Sequence, residues 1–292
     1  MAAKSLIITA DDFGLSLSVN EAVEEAHRKG VLTCASLVVA GEAAADAVRR
    51  AKAMPGLGVG LHLALLDAPA ALPAADIPDL IDPETGTLRA TPVATGAGIA
   101  MVRRVRDQAR AEMRAQFELF RKTGLPLDHV DGHWHFHQHP WLAGMIADMA
   151  PEFGVRAVRV PSEPALPSWR AAGRTGLIGR GRTAVAHALL WRSMRRRFAR
   201  AGVGANDWYF GLNDTGSMTR ERLLGVIANL PDGLSEVGMH PAMTPPSGPH
   251  ALPAHYRVTD ELAALIDPEV AEACKAVRMV RFGDVFGPDA RP

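Results

Sequence analysis

Short runs dense in aliphatic and β-branched residues recur along the chain, separated by stretches that read as helical. The runs are SLIITADD, CASLVVAG, GVGLHLAL, LDHVDGHWHFH, VRAVRVPS, SEVGMHPAM and MVRFGDVF. Such alternation is the pattern of βαβ units feeding a parallel sheet. Between them, SVNEAVEEAHRKG predicts a helix capped by Ser18, with Glu21 three residues on and Gly30 just past its end. Residues 101 to 122 predict another, closed by Gly124. Seven or eight such units in 292 residues favour a single α/β domain over 1–292, a closed or nearly closed TIM-like β/α barrel rather than an open doubly wound sheet. No GxGxxG or GxxxxGK[ST] phosphate loop is present, which supports the same choice.

Two stretches break the rhythm. Residues 66 to 98 are rich in Ala, Pro, Thr and Gly without periodicity and predict a long loop of the kind that forms lids or mobile segments. Residues 165 to 205 hold many arginines and neither Asp nor Glu, and predict a helical, arginine-rich insertion or cap. At 100° per residue Leu190, Trp191, Met194 and Phe198 cover one side of a helix there, with Arg192, Arg195, Arg196 and Arg200 largely on the other. A basic amphipathic helix suits a membrane interface, where anionic headgroups meet the arginines and the apolar face is buried. The competing arrangement packs the apolar stripe on the barrel and solvates the arginines.

Composition narrows the remaining choices. Lys plus Arg is 32, Asp plus Glu is 32 and the sequence pI is near 7.2, so global charge points to no nucleic-acid partner, and membrane attraction would have to come from a local patch. No stretch approaches the roughly 20 apolar residues of a membrane span, and the N-terminal apolar run meets Asp11 and Asp12 before a signal-peptide core could form. Cys34 and Cys274 are too few and too separated for a disulfide framework. The expected location is the cytoplasm, with peripheral contact at the inner face of the membrane.

The chemistry lies in where polar residues fall on apolar strands. Asp11 and Asp12 end the first run, His62 lies within the third, Asp131, His133, His135 and His137 occupy the fourth, and His240 ends a late one. Strand ends in a β/α barrel converge on one mouth. Carboxylates and imidazoles gathered there predict a site for one divalent metal ion: one Asp and two His supply about three ligands, leaving a position for water and a neighbouring carboxylate free as general base. Two imidazoles favour Zn²⁺ over Mg²⁺ or another divalent ion. By the two-residue period His133, His135 and His137 share one face of a fourth strand, about 6–7 Å apart at each step, too far for all three to hold one ion. Asp131 is nearest the first and could hold a ring nitrogen; His135 and His137 become candidates for support or substrate contact. His27, His187, His250 and His255 lack comparable context and read as surface or packing residues.

The motifs TADDFG at 9–14, GLHL at 60–63, HVDGHWHFH at 129–137 and EVGMHPAM at 236–243 resemble, in order, those of the YdjC-type carbohydrate deacetylases. The resemblance implies an α/β barrel related to polysaccharide deacetylases and an acetylated amino sugar as substrate. It implies Asp11 as the base, Asp12 as a metal ligand with His62 and His133, and His240 as proton donor to the departing amine. Gly132 stands where that family commonly has Ser, so a small residue is kept. The arginine-rich segment is more similar to the branch associated with hopanoid biosynthesis, the HpnK type, which implies an N-acetylglucosaminyl lipid as substrate.

Other barrel hydrolases fit less well. Metal-dependent phosphoesterases and other amidohydrolases place HxH after the first strand, where this chain has Asp-Asp. A two-carboxylate glycosidase leaves the histidines unexplained. A metal-binding interaction protein has no use for a free base beside the ligands.

Overall fold

The computed structural model describes residues 4–245 and 252–288. Among these residues nine strands, β1 (Lys4–Phe13), β2 (Cys34–Leu37), β3 (Gly58–Leu63), β4 (Val130–Gly132), β5 (Ala157–Val158), β6 (Gly204–Ala205), β7 (Trp208–Phe210), β8 (Gly233–Met239) and β9 (Arg278–Met279), alternate with helices. All pair in parallel in the order β6-β5-β4-β3-β2-β1-β8-β7. β9 takes the lower part of the β1 edge beside Ser5 and Leu6, while β2 takes the upper part from Thr9 onward.

The ends of this order, β6 and β7, are adjacent in sequence, so the sheet must curl until its edges meet. Asn206 stitches the seam: its Oδ1 accepts from Val160 N–H (2.7 Å), and its Nδ2 donates to the carbonyls of Val160 (3.0 Å) and Trp208 (2.8 Å). Tyr209 N–H adds a bond to Ser162 O at 3.0 Å. The result is the TIM-like α/β architecture expected from the alternating pattern.

β1 forms because Leu6, Ile7 and Ile8 are apolar on consecutive positions and find burial on both faces, as strands of a helix-covered parallel sheet do. Its helix, Leu17–Lys29, is capped two residues earlier than expected: Ser16 Oγ accepts from Val19 N–H, while Ser18 Oγ donates to Thr244 O at 2.8 Å. Gly30 follows the helix as expected. The MVRFGDVF run gives only β9 and then a short helix, Phe282–Phe286.

The segment 66–98 is no loose lid. Leu66, Ala68, Ile77, Leu80, Ile81 and Leu88 are buried, Ile81 and Leu88 form an antiparallel bridge, and a helix begins at Pro92. The helix Arg103–Thr123, ended by left-handed Gly124, pins this segment: Glu112 accepts from the N–H groups of Ala71 (2.7 Å) and Leu72 (2.9 Å), and Gln116 bonds both backbone groups of Ala64. The missing periodicity reflected irregular backbone satisfied by side chains.

Candidate active site

The C-terminal ends of the strands surround a cavity of about 530 Å³, lined among others by Asp11, Asp12, His62, His133, His135 and His240. Its size falls within the range of about 300–1,000 Å³ usual for small-molecule sites.

Asp11 and Asp12 reach it together because β1 does not stay extended. Between Ala10 and Phe13 the register with β2 slips, and Asp12 adopts φ 65°, a left-handed conformation costly for a residue with a Cβ. An extended chain would send the two carboxylates to opposite sides; the bulge turns both into the cavity.

The fourth run departs furthest from expectation. β4 ends at Gly132, and His133–Gln138 forms a 3₁₀ turn with Trp134 (φ 56°) and His135 (φ 51°) left-handed. The three histidines therefore share no strand face. His133 turns toward Asp12. His135 sets its ring edge-on to Tyr209, 5.0 Å between centroids. His137 folds beneath, its Nε2 3.0 Å from Arg159 O, and burial pushes its pKa down to about 4. Gly132 permits this: a Cβ there would lie 2.9 Å from Cβ of His137.

Asp12, His62 and His133 form a buried group whose ligand atoms converge. Asp12 Oδ1 lies 2.9 Å from His133 Nδ1 and 3.5 Å from His62 Nε2. Yet neither oxygen of Asp12 accepts a hydrogen bond of good geometry, although both are buried. Buried carboxylate oxygens without donors are rare and costly, and donor atoms at these separations suit ligands about 2.1 Å from a shared cation. The residues thus fit a divalent ion. Burial raises the Asp12 pKa, but the imidazoles of His133, His240 and His62 outweigh it and hold the carboxyl below the usual range.

Asp131 does not serve His133. It stands opposite His62 in the β3–β4 ladder, with Oδ1 2.8 Å from His62 Nδ1. Its other oxygen accepts from Ser36 Oγ at 2.7 Å and meets Arg159 at 2.8 Å.

Arg159 was not singled out from the sequence. Fully buried at the end of β5, it forks onto Asp11 (Nη1–Oδ2 and Nη2–Oδ1, both 2.8 Å) and also reaches Glu236 (Nε–Oε1, 2.9 Å). Three carboxylates around one guanidinium explain how so many charges are buried. Charged residues inside the apolar runs VRAVRVPS, at Arg156 and Arg159, and SEVGMHPAM, at Glu236, were the available signal.

His240 lies across from Asp11, Nε2 to Oδ2 at 4.0 Å. Its backbone N–H donates to Glu261, its ring meets Tyr256 at 5.2 Å, and its Nδ1 has no hydrogen-bond partner among the described residues. Sequence reasoning also overlooked Trp134, Tyr256 and Leu212 on the cavity wall, and His255, which lines the cavity rather than packing elsewhere. His27 bonds Leu32 O and His187 bonds Gln138, as packing residues do. His250 lies outside the described residues.

The arginine-rich stretch forms helices Ala165–Ala171 and Leu177–Arg200. Trp191, Met194 and Phe198 are buried in the barrel's core and Leu190 is half-buried, so the stripe expected at a membrane faces the protein. Arg192 and Arg196 are exposed, whereas Arg195 bonds Asn206 O and Ser162 Oγ. The apolar stripe packs inward because the seam of the barrel offers it a larger apolar surface than a solvent-facing orientation would.

Similarity to known proteins follows the same architecture. The family model of the YdjC-like protein matches residues 5–276. A carbohydrate deacetylase of Geobacillus stearothermophilus is 32% identical over 96% of this chain and 97% of its own. One from Brevibacillus brevis is 39% identical, but over 53% of this chain and 59% of its own. A crystal structure from Enterococcus faecalis V583, named for cellobiose-phosphate cleavage, has a TM-score of 0.70 at 22% identity, covering 98% of this chain and 100% of that one, a likeness of fold. With this match running nearly end to end, the chain belongs to the YdjC-like protein family.

Proposed function

We propose that this protein hydrolyses the N-acetyl group of an N-acetylated amino sugar, giving the free amine and acetate, with one divalent ion held by Asp12, His62 and His133. The observation that carries the reading is the Asp12 carboxylate, buried with no well-aligned hydrogen bond between two imidazoles that converge on it, and adjacent to an independently held Asp11. Relatives named carbohydrate deacetylases support the substrate class. The donor set favours Zn²⁺ over Mg²⁺.

When bound, a divalent ion there polarises the amide carbonyl and lowers the pKa of water. Arg159 fixes Asp11 by both oxygens, on the wall of the cavity. Asp11 takes the proton of the attacking water as it adds to the carbonyl carbon. As the C–N bond then breaks, His240 gives a proton to the leaving nitrogen, so that water and amide become acid and amine. Asp131 holds His62 through Nδ1, which leaves Nε2 turned to Asp12. The apolar walls made by Trp134, Leu212 and Tyr256 suit the face of a sugar ring.

Within this class we place an N-acetylglucosaminyl headgroup, including that of a hopanoid lipid met at the cytoplasmic side of the membrane. Mass spectrometry of lipid-linked and short soluble N-acetylglucosamine glycosides after incubation with metal-loaded protein tests this. Loss of one acetyl group with the glycosidic bond intact is expected; cleavage of the glycosidic bond, or no product from either, contradicts it.

A further inference from the structure

Helix Leu177–Arg200 spans 24 residues, about 36 Å at 1.5 Å per residue. It has two opposite faces. One buries Trp191, Met194 and Phe198. At 100° per residue the other carries a single row, Ile178, Arg182, Val185, Leu189, Arg192, Arg196 and Arg200, all within about 40° of its centre. Every member of the row is exposed, and Ile178 (80%), Val185 (78%) and Leu189 (76%) almost fully so.

This is unusual for a solvated helix face. Of twelve exposed large apolar side chains among the described residues, five (Leu166, Leu177, Ile178, Val185 and Leu189) fall in this region, so the exposure is clustered rather than scattered. The arginines beside them meet no acid from the same segment, since 165–205 contains none. A cleft of about 680 Å³ along the lower half of the helix is lined by Arg192, Arg196, Arg197 and Arg200; its one carboxylate, Asp148, is bound by Arg110 at 2.9 Å. In a chain with zero formal net charge this is a local positive surface.

We infer that the outward row of this helix docks on an anionic lipid bilayer. Exposed aliphatic side chains enter the interface while arginines along the same line meet lipid phosphates. A nucleic acid would use the arginines but leave Ile178, Val185 and Leu189 without a role. A second copy of the chain would bring two sets of arginines into one contact with only Asp148, already bound by Arg110, to meet them.

The helix is also tied to the mouth of the cavity. Near its start Arg180 forks onto Asp214 (2.8 and 2.7 Å) and bonds Glu163 (3.2 Å). Glu163 in turn accepts from Leu212 N–H (2.8 Å) and Asn213 N–H (2.9 Å), and Leu212 lines the cavity. Docking along the row therefore fixes the cavity wall relative to the bilayer. The inference rests on this helix and its charges, and stands apart from the deacetylase reading.

The test is co-sedimentation of the full chain with vesicles of phosphatidylcholine alone or mixed with phosphatidylglycerol, at low and high salt. Two triple variants are compared, Ile178→Ser with Val185→Ser and Leu189→Ser, and Arg192→Gln with Arg196→Gln and Arg200→Gln. A control, Arg103→Gln with Arg104→Gln and Arg121→Gln, removes the same charge from another helix. Binding only to the anionic vesicles, weakened by salt, reduced at least about tenfold in both row variants and kept in the control, is the expected result. No binding by the wild type, or equal loss in the control, overturns it, as does a dimer that the row variants abolish without any vesicle binding. Thermal melting of each variant separates loss of docking from loss of fold.

Discussion

His62 and Asp131 stand opposite each other in the β3–β4 ladder, and the 2.8 Å contact from His62 Nδ1 to Asp131 Oδ1 fixes which imidazole nitrogen faces Asp12. Burial lowers the His62 pKa, yet the carboxylates of Asp131, Asp11 and Asp12 outweigh it and push the imidazole up to about 9 in the metal-free protein. A protonated imidazole cannot be a ligand. Metal binding below about pH 9 must therefore displace a proton, and affinity should rise with pH by about one log unit per unit until that point. Calorimetric titration of the metal-free protein in two buffers of different ionisation enthalpy should show about one proton released near neutral pH; none would mean that His62 does not ligate.

Arg159 sets the position of Asp11 and also contacts Asp131 and Glu236, sharing its one charge among three carboxyl groups. Arg159→Lys keeps a charge but loses the fork, so we expect a folded enzyme that binds metal with kcat reduced by about 10- to 100-fold. Arg159→Met removes the one guanidinium shared by three buried carboxylates and should cost on the order of 3–5 kcal/mol in urea unfolding. Wild-type stability in Arg159→Met would mean that the cluster is not held by this cation.

His240 faces Asp11 across the cavity with one ring nitrogen free. His240→Ala should retain metal and substrate binding and lose roughly 10²- to 10⁴-fold in kcat. Activity within a few-fold of wild type would move the acid role to His135, whose ring also borders the cavity.

His137 is buried and held neutral, its pKa pushed from 6.5 down to about 4. Because the folded value is depressed, the unfolded chain takes up the proton first as pH falls. Stability should therefore decline between about pH 6.5 and 4 and level off below for this group. Denaturant unfolding of His137→Asn across that window should show a shallower decline than wild type; an equal slope removes His137 as a source of acid sensitivity.

Much of this was legible from residues whose surroundings are fixed by periodicity. The strand around His62, the helix ending at Gly30 and the position of Asp11 and Asp12 at a strand end all follow from apolar runs and the residues that interrupt them. The turn at His133–Gln138 was not, because nothing local announces that Trp134 and His135 adopt positive φ; the tertiary demand to aim His133 at Asp12 and tuck His137 under Gly132 imposes it. Arg159 and Glu236 were hidden for a related reason. Each is one charged residue in a buried strand, and its meaning appears only when the barrel brings β1, β4, β5 and β8 to a common centre. The packing of 66–98 depended on Glu112, more than a dozen residues further on.

The proposed division of labour between the adjacent aspartates is tested by the metal content of Asp11→Asn and Asp12→Ala, measured beside their acetate release. Asp12→Ala should lose both the ion and turnover. Asp11→Asn, which keeps its place beside Arg159, should bind about one ion per chain and release almost no acetate. Equal metal loss in the two variants, or an Asp12→Ala protein that keeps its ion, would contradict it.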